Sequence, residues 1–130
     1  MTFCFLISCI VPGLAEVNEA KETRFIFIGH HRGPDNFKIN SLIPYFVKDI
    51  SHLKKDFVLA SGDAICGYRT AYDKQKLRKE WDLIDQYFDT IDVPVYRVAN
   101  NHDWHSSATK EVFNERYGRE YFAFQKKIWK

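Results

Sequence analysis

Cysteine is scarce in this chain. Three occur, Cys4, Cys9 and Cys66, and the first two lie in an apolar N-terminal run, so no disulfide framework can be read from an odd, scattered set. Cys66 is expected as a buried, unreactive thiol. A basic stripe is also lacking: the net charge is +2, and no clustering of Lys and Arg points to nucleic acid. Low-complexity segments and internal repeats are absent, which argues against arrays and solenoids. No apolar run reaches the ~20 residues a membrane-spanning helix needs. With 130 residues there is room for one domain and not for two. What is present is ordinary for a globular chain: 45% of residues are hydrophobic and 28% charged. The aromatic share of 16% calls for a core rich in rings.

From Met1 to Ala15 no side chain is charged. Phe3 to Val11 is almost wholly apolar, Pro12-Gly13 breaks the run, and Gly13 and Ala15 are small residues where a signal peptidase wants them. This pattern predicts a secretory signal peptide over residues 1–15 and export to the periplasm or exterior. The competing reading, a buried strand or a later start, leaves the protein in the cytoplasm. Residues 16–23 form a polar linker, and the domain spans 24–130.

Within the domain, Arg24-Phe25-Ile26-Phe27-Ile28 is β-branched and aromatic without alternation, which predicts a strand buried on both faces. Leu42, Ile43, Phe46, Val47, Ile50 and Leu53 recur at helical spacing, with Asn40 or Ser41 as cap and Pro44 in the first turn. Phe57-Val58-Leu59-Ala60 is a second buried strand. Leu77, Trp81, Ile84, Tyr87 and Phe88 mark a second helix, with Lys and Glu on its other face. Pro94 to Ala99 is a third strand. The order βαβαβ predicts an α/β fold, a parallel sheet with flanking helices.

Each strand ends, on its C-terminal side, in groups able to meet a metal or a phosphate: Gly29-His30-His31-Arg32, Gly62-Asp63 and Asn101-His102-Asp103. Parallel strands bring such ends to one edge of the sheet, where α/β folds bind ligands. A carboxylate, imidazoles and an amide oxygen suit Mn, Fe or Zn rather than a thiol-seeking metal. Arg32 is either a phosphate contact or a solvated loop residue.

The pairing of Phe57-Val58-Leu59-Ala60-Ser61-Gly62-Asp63 with Val93-Pro94-Val95-Tyr96-Arg97-Val98-Ala99-Asn100-Asn101-His102-Asp103 resembles the calcineurin-like metallophosphoesterases, from about Arg24 to the chain end. That family carries Asp-x-His after its first strand, Gly-Asp after the second and Gly-Asn-His-Asp/Glu after the third. The resemblance implies a layered α/β/β/α sandwich, here partial, and a phosphate-ester substrate. It implies two bound metal ions (Mn, Fe or Zn), with a hydroxide held between them attacking phosphorus. On it Asp63 is the bridging carboxylate and Asn101 a ligand of the second metal. His102 faces the leaving group, with Asp103 orienting its ring.

Two departures stand out. The first motif has no aspartate: one alignment places its two positions on His30 and Arg32, the other on Gly29 and His31. The second keeps His31 as the expected imidazole ligand, and His30 can stand in as a neutral nitrogen donor. Asn100 replaces Gly, a residue that tolerates a left-handed backbone. The family's later histidines have no counterpart after His105, and Tyr121 to Lys130 begins like a further strand and turns basic, so a truncated domain is expected. These departures support the alternative of a non-catalytic remnant that binds a metal or an anion weakly or not at all.

Overall fold

The computed structural model describes residues 22–33 and 39–118. Residues 1–15, read above as a signal peptide, most of the segment 16–23 and the stretch Tyr121 to Lys130 lie outside the described residues. Among the described residues six regular elements alternate: β1 (Phe25–Ile28), α1 (Ile43–His52), β2 (Phe57–Ala60), α2 (Lys74–Phe88), β3 (Val95–Arg97) and α3 (Ser107–Tyr117). The strands form one parallel sheet in the order β1-β2-β3, with Ile26 opposite Val58 and Val58 opposite Val95. The protein is thus an α/β fold with a three-stranded parallel sheet and three helices among the described residues.

The apolar periodicity explains the helices that face the sheet. In α1, Ile43, Val47 and Ile50 are buried at helical spacing, and Pro44 sits in the first turn, where its missing N–H costs nothing. In α2, Leu77, Trp81, Ile84 and Phe88 form the buried stripe, and Asp73 caps the N-terminus by accepting from the Lys76 N–H. These residues meet Ile26 and Val58 in one core, in which Val58 and Leu77 are fully buried. Each such side chain contributes about 1.5–3 kcal/mol on burial. Cys66 is buried.

Several sequence expectations change. β1 is not buried on both faces: Phe27 stays 47% exposed, on the opposite face of the pleat from buried Ile26. On that same face Phe25 stacks on Phe57 at 5.2 Å, and Tyr96 meets Phe57 edge-on at 5.9 Å. Neither Asn40 nor Ser41 is the cap of α1. Leu42 holds that position without a side-chain bond, while Asn40 closes the preceding turn, its Oδ1 accepting from Leu42 N and its carbonyl from Ile43 N. Glu80 does not join the solvated face of α2 but is buried, accepting hydrogen bonds from Gly67 N and Thr70 Oγ1.

α3 was not foreseen from the periodicity. It carries Ala108, Thr109, Val112 and Phe113 inward, a stripe too short and too mixed in polarity to stand out as a 3.6-residue repeat. Its start is marked by a capping box: Ser106 accepts from Thr109 N, and the Thr109 hydroxyl accepts from Ser106 N. The helix is held on α2 by Arg78 on Glu115, by Arg116 on Asp85 and by the ring of Tyr117 against Trp81.

Candidate functional site

Because all three strands run the same way, the turns that follow them share one edge of the sheet, and there the polar clusters meet. The turn after β1 joins the turn after β2 through His30 N, which donates to the Gly62 carbonyl at 3.2 Å. The His30 ring follows, with Nδ1 2.8 Å from Asp63 Oδ2. Asp63 reaches the third turn as well, its Oδ1 accepting from His102 N at 3.2 Å. The Asp63 side chain is 3% exposed and that of His30 is 75% exposed, so the pair is a buried carboxylate with a solvent-facing imidazole above it.

Both residues adopt a backbone that L side chains avoid. His30 has φ 52° and Asp63 φ 51°, left-handed values that cost energy outside glycine and concentrate where surrounding structure holds a functional group in place. Asn100 is not among the left-handed residues, so the absence of a glycine there imposes no strain. The glycine that matters is Gly62, with φ +82°; a Cβ there would lie 2.5 Å from the Asn100 amide nitrogen. The close approach of β2's turn to β3's turn depends on the missing side chain.

Asp103 has a different task from the one the resemblance implies. It does not touch the His102 ring. Fully buried, its carboxylate accepts from the backbone N–H groups of Asp63 at 2.7 Å, Ala64 at 3.1 Å, Ile65 at 3.4 Å and Asn100 at 3.1 Å. It therefore pins the turns after β2 and β3 to each other. Burial pushes its pKa up to about 6, against the opposing pull of those N–H donors. The His102 ring is oriented by a carbonyl instead: its Nδ1 lies 2.7 Å from Cys66 O. A carbonyl oxygen only accepts, so in this contact Nδ1 carries a proton and donates it.

His31 also departs from expectation. It is 5% exposed and turned into the core, its ring 5.2 Å from Phe88 and 6.1 Å from Phe46. Neither ring nitrogen has a hydrogen-bond partner among the described residues. Burial, helped by the nearby Arg97 charge, lowers its pKa to about 4, so it is neutral at ordinary pH. The imidazole at the carboxylate is His30. Asn101 lies at the same edge but gives its Nδ2 to the Tyr68 hydroxyl at 2.6 Å.

Sequence reasoning missed Tyr68, Gly67 and Glu80. Tyr68 opens a short 3-10 turn (Tyr68–Thr70), with its ring 4.1 Å from that of His102 and 4.2 Å from that of His105. The available signal was Cys66-Gly67-Tyr68, a glycine closely following the Gly62-Asp63 motif.

The donor set fits a single metal ion better than a pair. His30 and Asp63 present nitrogen and oxygen donors 2.8 Å apart, and the Asn101 amide oxygen is a third candidate from the adjoining turn. Among the described residues no group of three or more His, Cys, Asp or Glu side chains is gathered as a metal cage.

No family model, curated protein or solved structure matches the chain.

Proposed function

We propose that this chain is a metal-dependent phosphoester hydrolase with one principal metal position, held by Asp63 and His30 with Asn101 as third donor. The observation that carries the reading is the meeting of three strand-end turns on Asp63, whose two oxygens face the His30 ring and the His102 backbone N–H. That carboxylate is fixed in place before any ligand arrives, as a site on rigid strand ends requires. An ion such as Mn, Fe or Zn bound there supplies Lewis acidity toward a phosphoryl oxygen and a water molecule. The protein's own part is to hold and to move protons. Asp103 keeps the turns in register, and His102, with Nδ1–H committed to the Cys66 carbonyl, takes a proton at Nε2 from the attacking water and yields it to the departing oxygen.

A second reading has an observation of its own. His31, the imidazole expected as a ligand, is spent in the core between Phe46 and Phe88, which favours a non-catalytic remnant. One assay separates them. The full chain is loaded with Mn or Zn, and turnover of a chromogenic phosphate ester is measured beside bound metal. Hydrolysis that falls to background in Asp63→Asn supports the enzyme; substoichiometric metal and no turnover establishes the remnant.

A further inference from the structure

The segment between β2 and α2 is clamped to the candidate site from three sides. Gly67, with φ +66°, presses so closely on the third turn that a Cβ there would lie 2.0 Å from the His102 carbonyl oxygen. Its N–H donates to Glu80 Oε2 at 3.3 Å, and Thr70 Oγ1 donates to Glu80 Oε1 at 2.9 Å, which fastens the turn to α2. The Cys66 carbonyl takes His102 Nδ1. Tyr68 is carried on this clamped turn, 42% exposed, with its ring against His102 and His105 and its hydroxyl on Asn101.

We propose that Tyr68 is a positioning residue of the site: its hydroxyl takes the Asn101 Nδ2–H and so presents Oδ1 as the donor atom, while its ring holds the His102 imidazole on the Cys66 carbonyl. The inference rests on the roles given above to Asn101 and His102. The chemistry is that of an outer-shell partner. An amide has one oxygen and one nitrogen end, and a metal takes only the oxygen. Engaging the nitrogen end selects the useful orientation and removes the rotational freedom that binding would otherwise have to quench. A ring that merely filled space would leave both properties indifferent to the hydroxyl.

The test compares the full 130-residue chain with Tyr68→Phe and Tyr68→Ala, using Mn²⁺ alone as the probe. Three quantities are read: Mn²⁺ affinity, the Asn101 side-chain amide signals, and the His102 ring nitrogens by ¹⁵N NMR. In Tyr68→Phe the ring stays, so the His102 tautomer is retained. The Asn101 signals move, and Mn²⁺ binds about 10-fold more weakly, the low end of an outer-shell loss. Tyr68→Ala also releases the His102 tautomer. Unmoved Asn101 signals and unchanged Mn²⁺ affinity in Tyr68→Phe overturn the proposal. If the parent chain takes up no Mn²⁺, the hydrolase reading falls on its own. The Asn101 signals in Tyr68→Phe then decide Tyr68 alone: displaced signals support it and unmoved ones sink it.

Discussion

Two aspartates anchor two regions of this molecule with different materials. At the C-terminal edge of the sheet, Asp103 is enclosed by four backbone N–H groups from the turns after β2 and β3. One layer below, Asp85 on α2 is held by side chains. Its Oδ1 accepts from Arg97 and its Oδ2 from Arg116, at 2.9 Å each, and the Tyr117 hydroxyl donates to it at 2.6 Å. Arg97 in turn lies over the rings of Phe88 at 4.5 Å and Tyr117 at 4.9 Å. Backbone donors cannot swing away, so Asp103 sets the relative position of two turns. Long side chains can adjust, so the Asp85 cluster docks α3 without dictating geometry to within a fraction of an ångström. A site needs the first kind of anchor, and a helix interface is satisfied with the second.

That contrast can be broken most directly at Asp103. Truncation to Ala strands four N–H groups in a buried turn, and a loss of about 4 kcal/mol is expected in urea unfolding. A loss below about 1 kcal/mol would mean that those donors readily find other partners, and the distinction between the anchors would collapse.

The seam between the regions is His31, lowered in pKa chiefly by burial and then by Arg97 from the lower cluster, with Asp63 from the site pulling the other way. Its folded pKa of about 4 lies below the ordinary 6.5. Its contribution to stability is therefore complete above pH 6.5 and lost as pH falls toward 4, amounting to about 3 kcal/mol. Asp103 acts with opposite sign. Its carboxyl is raised from 3.8 to about 6, so the stabilisation of its protonated form is present below pH 3.8 and lost as pH rises through 6. In the wild type the two partly cancel. Replacing His31 with Leu should uncover the Asp103 slope, and between pH 6.5 and 4 the variant should gain about 3 kcal/mol on the wild type in pH-dependent unfolding. Parallel curves would place the His31 ring in contact with water.

The smallest effect is expected below. Asp85→Asn removes one charge from a cluster that keeps 18% of that side chain exposed, so about 2 kcal/mol is the expected loss, less than for a fully buried pair. Metal affinity should not change. A drop in Mn²⁺ binding as large as that caused by Asp103→Ala would show that the two anchors are one unit.

Much of this architecture was legible in the residues. The alternation of Phe25–Ile28, Phe57–Ala60 and Val95–Arg97 with two amphipathic helices predicts a parallel sheet, and the sheet is there. Parallelism alone then brings His30, Asp63 and His102 to one edge, where they touch. α3 was hidden because Ala108 and Thr109 carry little hydrophobic signal, although Ser106 and Gly118 mark its ends. Glu80 was misplaced because a helical wheel assigns charge to solvent and takes no account of a turn, thirteen residues earlier in the chain, that donates to it.

By itself, then, the chain determined the order of its elements and the edge at which its polar turns gather, since both follow from local periodicity and the one-way run of parallel strands. Only the tertiary structure decided which of two adjacent histidines meets Asp63 and what Asp103 holds. Both depend on contacts between residues more than thirty positions apart and on the left-handed backbone at His30 and Asp63. No repeat of period 2 or 3.6 encodes either one.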